Sequence, residues 1–404
     1  MTGGRAWALA MVLVAVAAGA GAAGDAVLTG RCVLPADTFG DGPPVGAALA
    51  GSVNGRTPPF PGPPVQGFSS LVALPDSRWL ALQDNGFGTL ANSGDYPLRL
   101  YTLRLDWDAG AVRVEGAVEL TDPLNRLDLG QRRLTGDDLD PESMVRMDDG
   151  SLWIGEEFGP SLVHVDAAGR VLGRPVPVPV PAALRPYARG LDHHVSPDHP
   201  SVRHPDPGAR YVTNHPRSGG LEGLARTPHG ERLYAALEKG LTDDPVAGRR
   251  AILEFDPARV SFTGRAWFYR TDLPDGMVTS LEAWSANVLL VMERDGQQGE
   301  AARVKRVYRV DLREAGDDGF LPKRLVCDLL DIADPGGITA TEDGAVGLGP
   351  RFAMPFVTPE ALAILDARTL LVANDNNYPF SAGRRAGAPD DNEVVRVRVD
   401  DLGQ

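Results

Sequence analysis

Several hairpin-like stretches of this chain carry a carboxylate at both outer ends. In GGLEGLARTPHGERLYAALEKG, residues 219–240, two apolar runs flank a His-Gly turn, and Glu222 and Glu238 stand at their far ends. The arrangement recurs as Glu142 with Glu156 or Glu157, Glu282 with Glu293, and Glu360 with Asp375; Ser69 with Asp84 is a weaker fifth case. The first residue of one antiparallel strand and the last of its partner lie at the same end, so each pair meets in space. Two carboxylates at close range repel by about 4 kcal/mol at an effective dielectric near 20. Either their pKa values rise or a cation neutralises them. Oxygen donors of this kind suit Ca²⁺, or another hard divalent cation such as Mg²⁺, better than zinc. Glu142, Glu157, Glu222, Glu238, Glu282, Glu293, Glu360 and Asp375 are therefore the candidate metal ligands, and Glu222 and Glu282 the candidate acid/base groups. A polar residue at a strand start also serves simply to satisfy a turn amide.

Cations for an anionic substrate stand nearby: Lys239 and Arg294 directly follow a carboxylate strand end, and His215 and Arg217 precede Glu222. Adjacent strand residues point to opposite faces, so an outward, solvated Lys239 is the simpler expectation. Asn374, Asn376 and Asn377 in VANDNNYPF can offer neutral oxygens or cap a turn. Residues 191–216 hold five histidines (His193, His194, His199, His204, His215), which can bind a transition metal or present cations to phosphate, but such Pro-punctuated text reads first as a solvated loop. Other catalytic signatures are absent from the sequence: G-x-S-x-G, H-E-x-x-H, Arg-His-Gly and Cys-x5-Arg do not occur.

The elements that must position these groups are short alternating strands. QGFSSLVALPDSRWLALQDNG (66–86), DPESMVRMDDGSLWIGEEFG (140–159), TSLEAWSANVLLVMERDG (279–296) and TPEALAILDARTLLVANDNN (358–377) repeat the design of 219–240, and each of the five is followed by a strand ending at an aspartate: Asp106, Asp166, Asp256, Asp311 and Asp400. Period-two alternation broken by Asp-Gly and Pro-Asp turns predicts antiparallel strands throughout. A unit near 60 residues, interrupted by a Pro- and His-rich insertion (171–218) and a loop-like one (313–357), fits a radial array of small sheets. The predicted fold is all-β, a β-propeller with six blades in a range of five to seven. The text near AVLTGRCVLP is expected to supply or complete a blade, with EVVRVRVDD at the other end pairing to it between Val27 and Pro35 so that no strand edge stays open.

Composition adds limits. The 404 residues carry a net charge of −14, with 47 glycines and 34 prolines. Such an acidic chain disfavours nucleic acid and anionic lipid as partners and accommodates cations. Residues 1–24 read as a secretory signal: one Arg, an apolar run from Ala6 to Ala18, then small residues, with cleavage between Ala20 and Asp25. Residues 25–404 are then one exported domain, periplasmic or secreted and free of the membrane, and a monomer. Cys32, preceded by Arg31, is not of the lipoprotein type, and in an oxidising compartment it and Cys327 can pair or remain buried thiols.

GFSSL…LQDNG, DPESM…GEEFG, GLEGL…ALEKG, SLEAW…MERDG and the closing PEALAIL…LVANDNNYPFS resemble the phytase-like propeller family described as having esterase-like activity of phytase. The resemblance spans about Phe39 to Val399. Glu142, Glu222, Glu282 and Glu360 match its repeated motif, whereas Ser69 departs from it. It implies an exported propeller that hydrolyses phosphate esters, hence a small-molecule phosphate ester as substrate. Two other functions compete. Gluconolactonase-like propellers use a Glu/Asn/Asp calcium site at the channel mouth, which suggests a lactonase or carboxylic-ester hydrolase. A propeller that only binds a ligand or partner is the third, because the fold alone is silent on function.

Overall fold

The computed structural model describes residues 26–130, 132–203 and 211–403. The expected signal and its cleavage site fall outside these residues, as does His204. Among the described residues, no helix is long and apolar enough to cross a membrane.

Antiparallel pairing gathers most strands into five groups of four, and a parallel contact between Val33 and Ala111 links the first group to the fifth. The first blade is Ser70–Ala73, Arg78–Leu82, Arg99–Asp106 and Ala111–Glu119; the second is Pro141–Arg146, Leu152–Glu156, Ser161–Val165 and Val176–Pro177. Leu221–Arg226, Leu233–Leu237, Arg249–Asp256 and Ser261–Arg270 make the third, and Met277–Ala283, Val288–Arg294, Lys305–Asp311 and Lys323–Asp328 the fourth. The fifth joins Thr358–Asp366, Thr369–Asp375 and Asn392–Arg398 to the N-terminal strand Val27–Leu34. The first strands of successive blades pack against one another around a closed ring, the fifth against the first. This is the propeller that alternation and repeat length predict, with five blades among the described residues rather than six. The N-terminal text completes the fifth blade instead of starting another.

That closure follows the expected pairing. Val27–Leu34 runs antiparallel to Asn392–Arg398, from Val27 opposite Arg398 to Leu34 opposite Asn392. Buried Glu393 fixes the seam: Arg31 Nε and Nη2 each donate to it at 2.8 Å, and Arg384 Nε and Nη2 donate at 2.8 and 2.9 Å. Burial pushes the Glu393 carboxyl up, but the two guanidinium groups outweigh it and hold the group below its ordinary value.

Blades pack face to face through apolar side chains. Tyr234, Ile252 and Trp267 of the third meet Leu281, Leu289 and Val291 of the fourth. The exit aspartates cap turns: Asp106 accepts from Ala109 N, Asp256 from Ala258 N and Asp311 from Arg313 N. The stretch 313–357 is not all loop, because Lys323–Asp328 is the outer strand of the fourth blade. Cys32 and Cys327 are both buried and unpaired, in separate core clusters, so no disulfide forms.

Candidate functional site: a carboxylate ring at one channel mouth

The ring is built by a backbone irregularity that recurs where the inner strands begin. Pairing shifts between Pro141 and Ser143, Leu221 and Gly223, Val278 and Ser280, and Pro359 and Ala361. Each shift leaves one residue out of the ladder: Glu142, Glu222, Thr279 and Glu360. Ser69 takes the corresponding place before the Ser70–Leu82 pair. The ends of the neighbouring strands supply a second set: Asp84, Glu157, Glu238, Arg294 and Asp375. A cavity of about 250 Å³ is lined by Asp84, Asp140, Glu142, Glu157, Glu222, Glu238, Glu360 and Asp375 with Arg294 and Lys239. Eight carboxylates thus face one guanidinium and one ammonium group.

Close packing of the blades brings them together. A Cβ on Gly220 would lie 2.5 Å from Glu157 Cα, so only glycine lets the third blade's leading strand touch the second blade there. Gly220 N donates to Glu157 Oε1 at 3.3 Å. Three overlapping triads follow, Asp140–Glu142–Glu157, Glu142–Glu222–Glu360 and Glu157–Glu222–Glu238, each offering oxygens within 4.8 Å of one another. Glu222 is 4 % exposed, and its Oε2 has no hydrogen-bond partner. A buried, unpaired carboxylate oxygen among other carboxylates fits a cation ligand.

Burial raises several of these acids, and mutual repulsion adds to it in some. Glu142 is pushed well above its ordinary range by burial and then by Glu222 and Asp140, and Glu222 by burial and then by Glu360 and Glu238. Burial brings Asp84 to about 6 and, with Asp84 beside it, Asp140 to about 7. Burial lifts Glu360 to about 8 against the pull of Arg294. Arg294 Nη2 lies 3.0 Å from Glu238 Oε1 and 3.8 Å from Glu360 Oε1. Burial works to lower the Arg294 pKa, but the surrounding carboxylates raise it. Lys239 does not turn outward: Nζ donates to Ser218 O and lies 3.2 Å from Glu238 Oε2 at the cavity rim. That contact is an ion pair without hydrogen-bond geometry.

Six of the eight expected ligands meet here: Glu142, Glu157, Glu222, Glu238, Glu360 and Asp375. Glu282 does not. The bulge in the fourth blade falls at Thr279, three residues earlier, so SLEAW matches GLEGL in letters but not in register. Glu282 lies opposite Leu290 and lines the other end of the channel with Leu71, Met144 and Ala363, where burial lifts its carboxyl to about 8. Glu293 also departs. It pairs across the ladder with Val278 and faces into the blade, accepting from Tyr269 Oη at 2.5 Å, Lys323 Nζ at 2.8 Å and Asp272 N at 3.1 Å. Strand alternation then turns the next residue, Arg294, toward the channel.

His215 is buried, not solvated. Its Nε2 donates to Gly219 O, which leaves Nδ1 to accept from His194 Nδ1 at 3.1 Å. Burial holds His215 down at about 4. Arg217 is paired with Asp198 and half exposed. Neither lines the cavity. Of the asparagines, Asn377 does, donating to Thr358 Oγ1, while Asn374 and Asn376 donate to backbone carbonyls of Asp391 and Asp390. Asp140, not singled out from the sequence, accepts from Asn85 N at 3.1 Å and Asn85 Nδ2 at 2.7 Å. Its one signal is position, two residues before Glu142 in DPESM.

The family model described as "Phytase-like: Esterase-like activity of phytase" matches residues 63–378, most of the chain and all of the ring. The chain belongs to this family. No curated protein matches the sequence of this phytase-like chain. Solved structures with a related course include a luciferin-regenerating enzyme (12 % identity, 81 % of this chain and 76 % of that one, TM-score 0.36). The Dos1 propeller (11 %, 83 % and 68 %, 0.33) is another. A third is the PQQ-bound aldose sugar dehydrogenase of Streptomyces coelicolor (12 %, 92 % and 98 %, 0.34). TM-scores this low carry no inference about the chemistry of the phytase-like ring.

Proposed function

We propose that this phytase-like propeller is an exported, divalent-cation-assisted hydrolase of phosphate esters, with Ca²⁺ as the cation. The observation that carries the reading is the set of overlapping buried carboxylate triads sharing Glu222, whose Oε2 is unpartnered. Asp140, Glu142, Glu157 and Glu222 are the residues that would hold the ion, and their all-oxygen donor set favours Ca²⁺ over softer-ligand metals. A Ca²⁺ bound there supplies Lewis-acid polarisation of a phosphoryl oxygen and offsets charge in the transition state. Arg294 and Lys239 provide the cationic wall for the remaining phosphate oxygens. Glu222, whose proton affinity burial and Glu360 raise, is the carboxylate suited to take a proton from the attacking water. Glu282, at the far end of the channel, has no part in this chemistry.

The test is turnover of p-nitrophenyl phosphate and p-nitrophenyl acetate by the exported chain, in CaCl₂ and after chelation. Phosphate release that needs Ca²⁺ and vanishes in Glu222→Gln is the expected outcome. Acetate hydrolysis without phosphate release would move the site to carboxylic esters or lactones. Ca²⁺ binding with neither activity would leave a binding propeller.

A further inference from the structure

The fourth blade alone gives the mouth no carboxylate. Thr279 stands at its bulge, where the second, third and fifth blades place Glu142, Glu222 and Glu360. Thr279 Oγ1 is turned away, donating to Pro359 O at 2.9 Å. Arg294 stands at its strand end, where the other four place Asp84, Glu157, Glu238 and Asp375. From there Arg294 reaches both flanking blades, 3.0 Å to Glu238 Oε1 and 3.8 Å to Glu360 Oε1. Each of the two triads that include Glu222 therefore contains one partner of Arg294. The triad Asp140–Glu142–Glu157 contains none.

We propose that Arg294 is a built-in counter-cation that occupies one side of the ring and confines the exchangeable divalent cation to the second-blade side, on Asp140, Glu142 and Glu157 with Glu222 at its margin. This inference rests on the cation-site reading above. A guanidinium 3.0 Å from Glu238 Oε1 offsets the charge of that carboxylate and repels a second positive charge brought to it. Asp140, Glu142 and Glu157, which form no ion pair among the described residues, lie opposite, and a divalent ion is stabilised there. The mouth is thus polarised, with fixed positive charge on one wall and exchangeable positive charge on the other. An anion entering between them meets both.

Calorimetric titration of the chelated, desalted full chain with CaCl₂ tests this. Glu142→Gln and Asp140→Asn should weaken binding at least about tenfold, whereas Glu238→Gln and Glu360→Gln should stay within about threefold of wild type. Arg294→Gln should bind one additional Ca²⁺ per chain, and its melting temperature, lowered without metal, should recover with it. Should Arg294→Gln not fold, the comparison of Glu142→Gln with Glu238→Gln decides. Equal losses in those two, or unchanged stoichiometry in a folded Arg294→Gln, overturn the proposal while leaving the cation site standing. A wild-type chain that binds no Ca²⁺ overturns both.

Discussion

At Glu222 the competing demands on the ring are plainest. The side chain is buried among like charges, and burial followed by Glu360 and Glu238 raises its pKa far above a carboxyl's ordinary value. Glu222→Gln keeps the volume and removes the charge. Without metal it should therefore stabilise the fold, by on the order of 1 kcal/mol at alkaline pH, while CaCl₂ stabilises it less than wild type. Thermal denaturation with and without chelator reads both changes, and a destabilised metal-free Glu222→Gln would mean that the carboxylate is a turn cap after all. Glu282→Gln, at the opposite end of the channel, should leave the CaCl₂ titration unchanged. Glu142, Glu222 and Glu360 were legible in the sequence because each precedes its hairpin turn at nearly the same spacing. Thr279 was not, since a bulge is set by backbone pairing and SLEAW places an identical Leu-Glu pair three residues later. Arg294 was legible as a cation near the ring, but not as the occupant of the ring position expected for Glu293, because the parity of the two depends on that same bulge.

The elements themselves were readable, for a physical reason. Residues that alternate between a buried and a wetter face leave a period of two, and aspartates such as Asp106 and Asp256 end a strand by capping the turn that follows. Lys323–Asp328 escaped because KRLVCD is short, with Lys and Arg at its start, as an outer strand facing solvent permits. The closing strand was legible from its alternation, and its weight can be measured. Leu28 is 2 % exposed in the cluster that also holds Val395 and Val397. Leu28→Ala should cost about 2–5 kcal/mol in denaturant unfolding, and a loss below 1 kcal/mol would mean that the seam does not carry the fold. The thiols give a second check. Burial raises Cys32 to about 11 and Cys327 higher still, and each lies in a different cluster. A thiol reagent should label neither in the native chain and both after unfolding, with no change on prior reduction. Immediate labelling, or a reduction-dependent count, would contradict that placement.

For the whole molecule, a closed ring of blades concentrates like charge on its own axis, and stability should register this as a dependence on pH and metal. Asp140 titrates at about 7 and Glu360 at about 8 in the fold, with Glu142, Glu222 and Asp375 above their ordinary range by burial first. In the unfolded chain such groups titrate near 4, so between there and their folded values the native state binds more protons than the unfolded one. Stability then falls as pH rises. Below about pH 6.5 the buried histidines oppose this: burial holds His194 and His215 below their ordinary value, and stability gained by keeping them neutral grows with pH. In the window from pH 7 to 9 the histidines no longer contribute, and the carboxylates outnumber the buried amine that opposes them, Lys305, which burial brings down to about 8. Glu156 and Glu282 also titrate there, at about 7 and 8, but Glu282 lies off the ring and Glu156 accepts from Phe158 and Gly159 amides, so neither responds to metal as a ligand. The melting temperature of the chelated chain should fall steadily from pH 7 to 9. CaCl₂ should flatten the fall, because the ion binds the deprotonated ring, contributing about 2.7 kcal/mol at a hundredfold excess over Kd. A chelated chain equally stable at both ends of the window, or a slope that CaCl₂ leaves untouched, would show that the ring's charge is not what limits the fold.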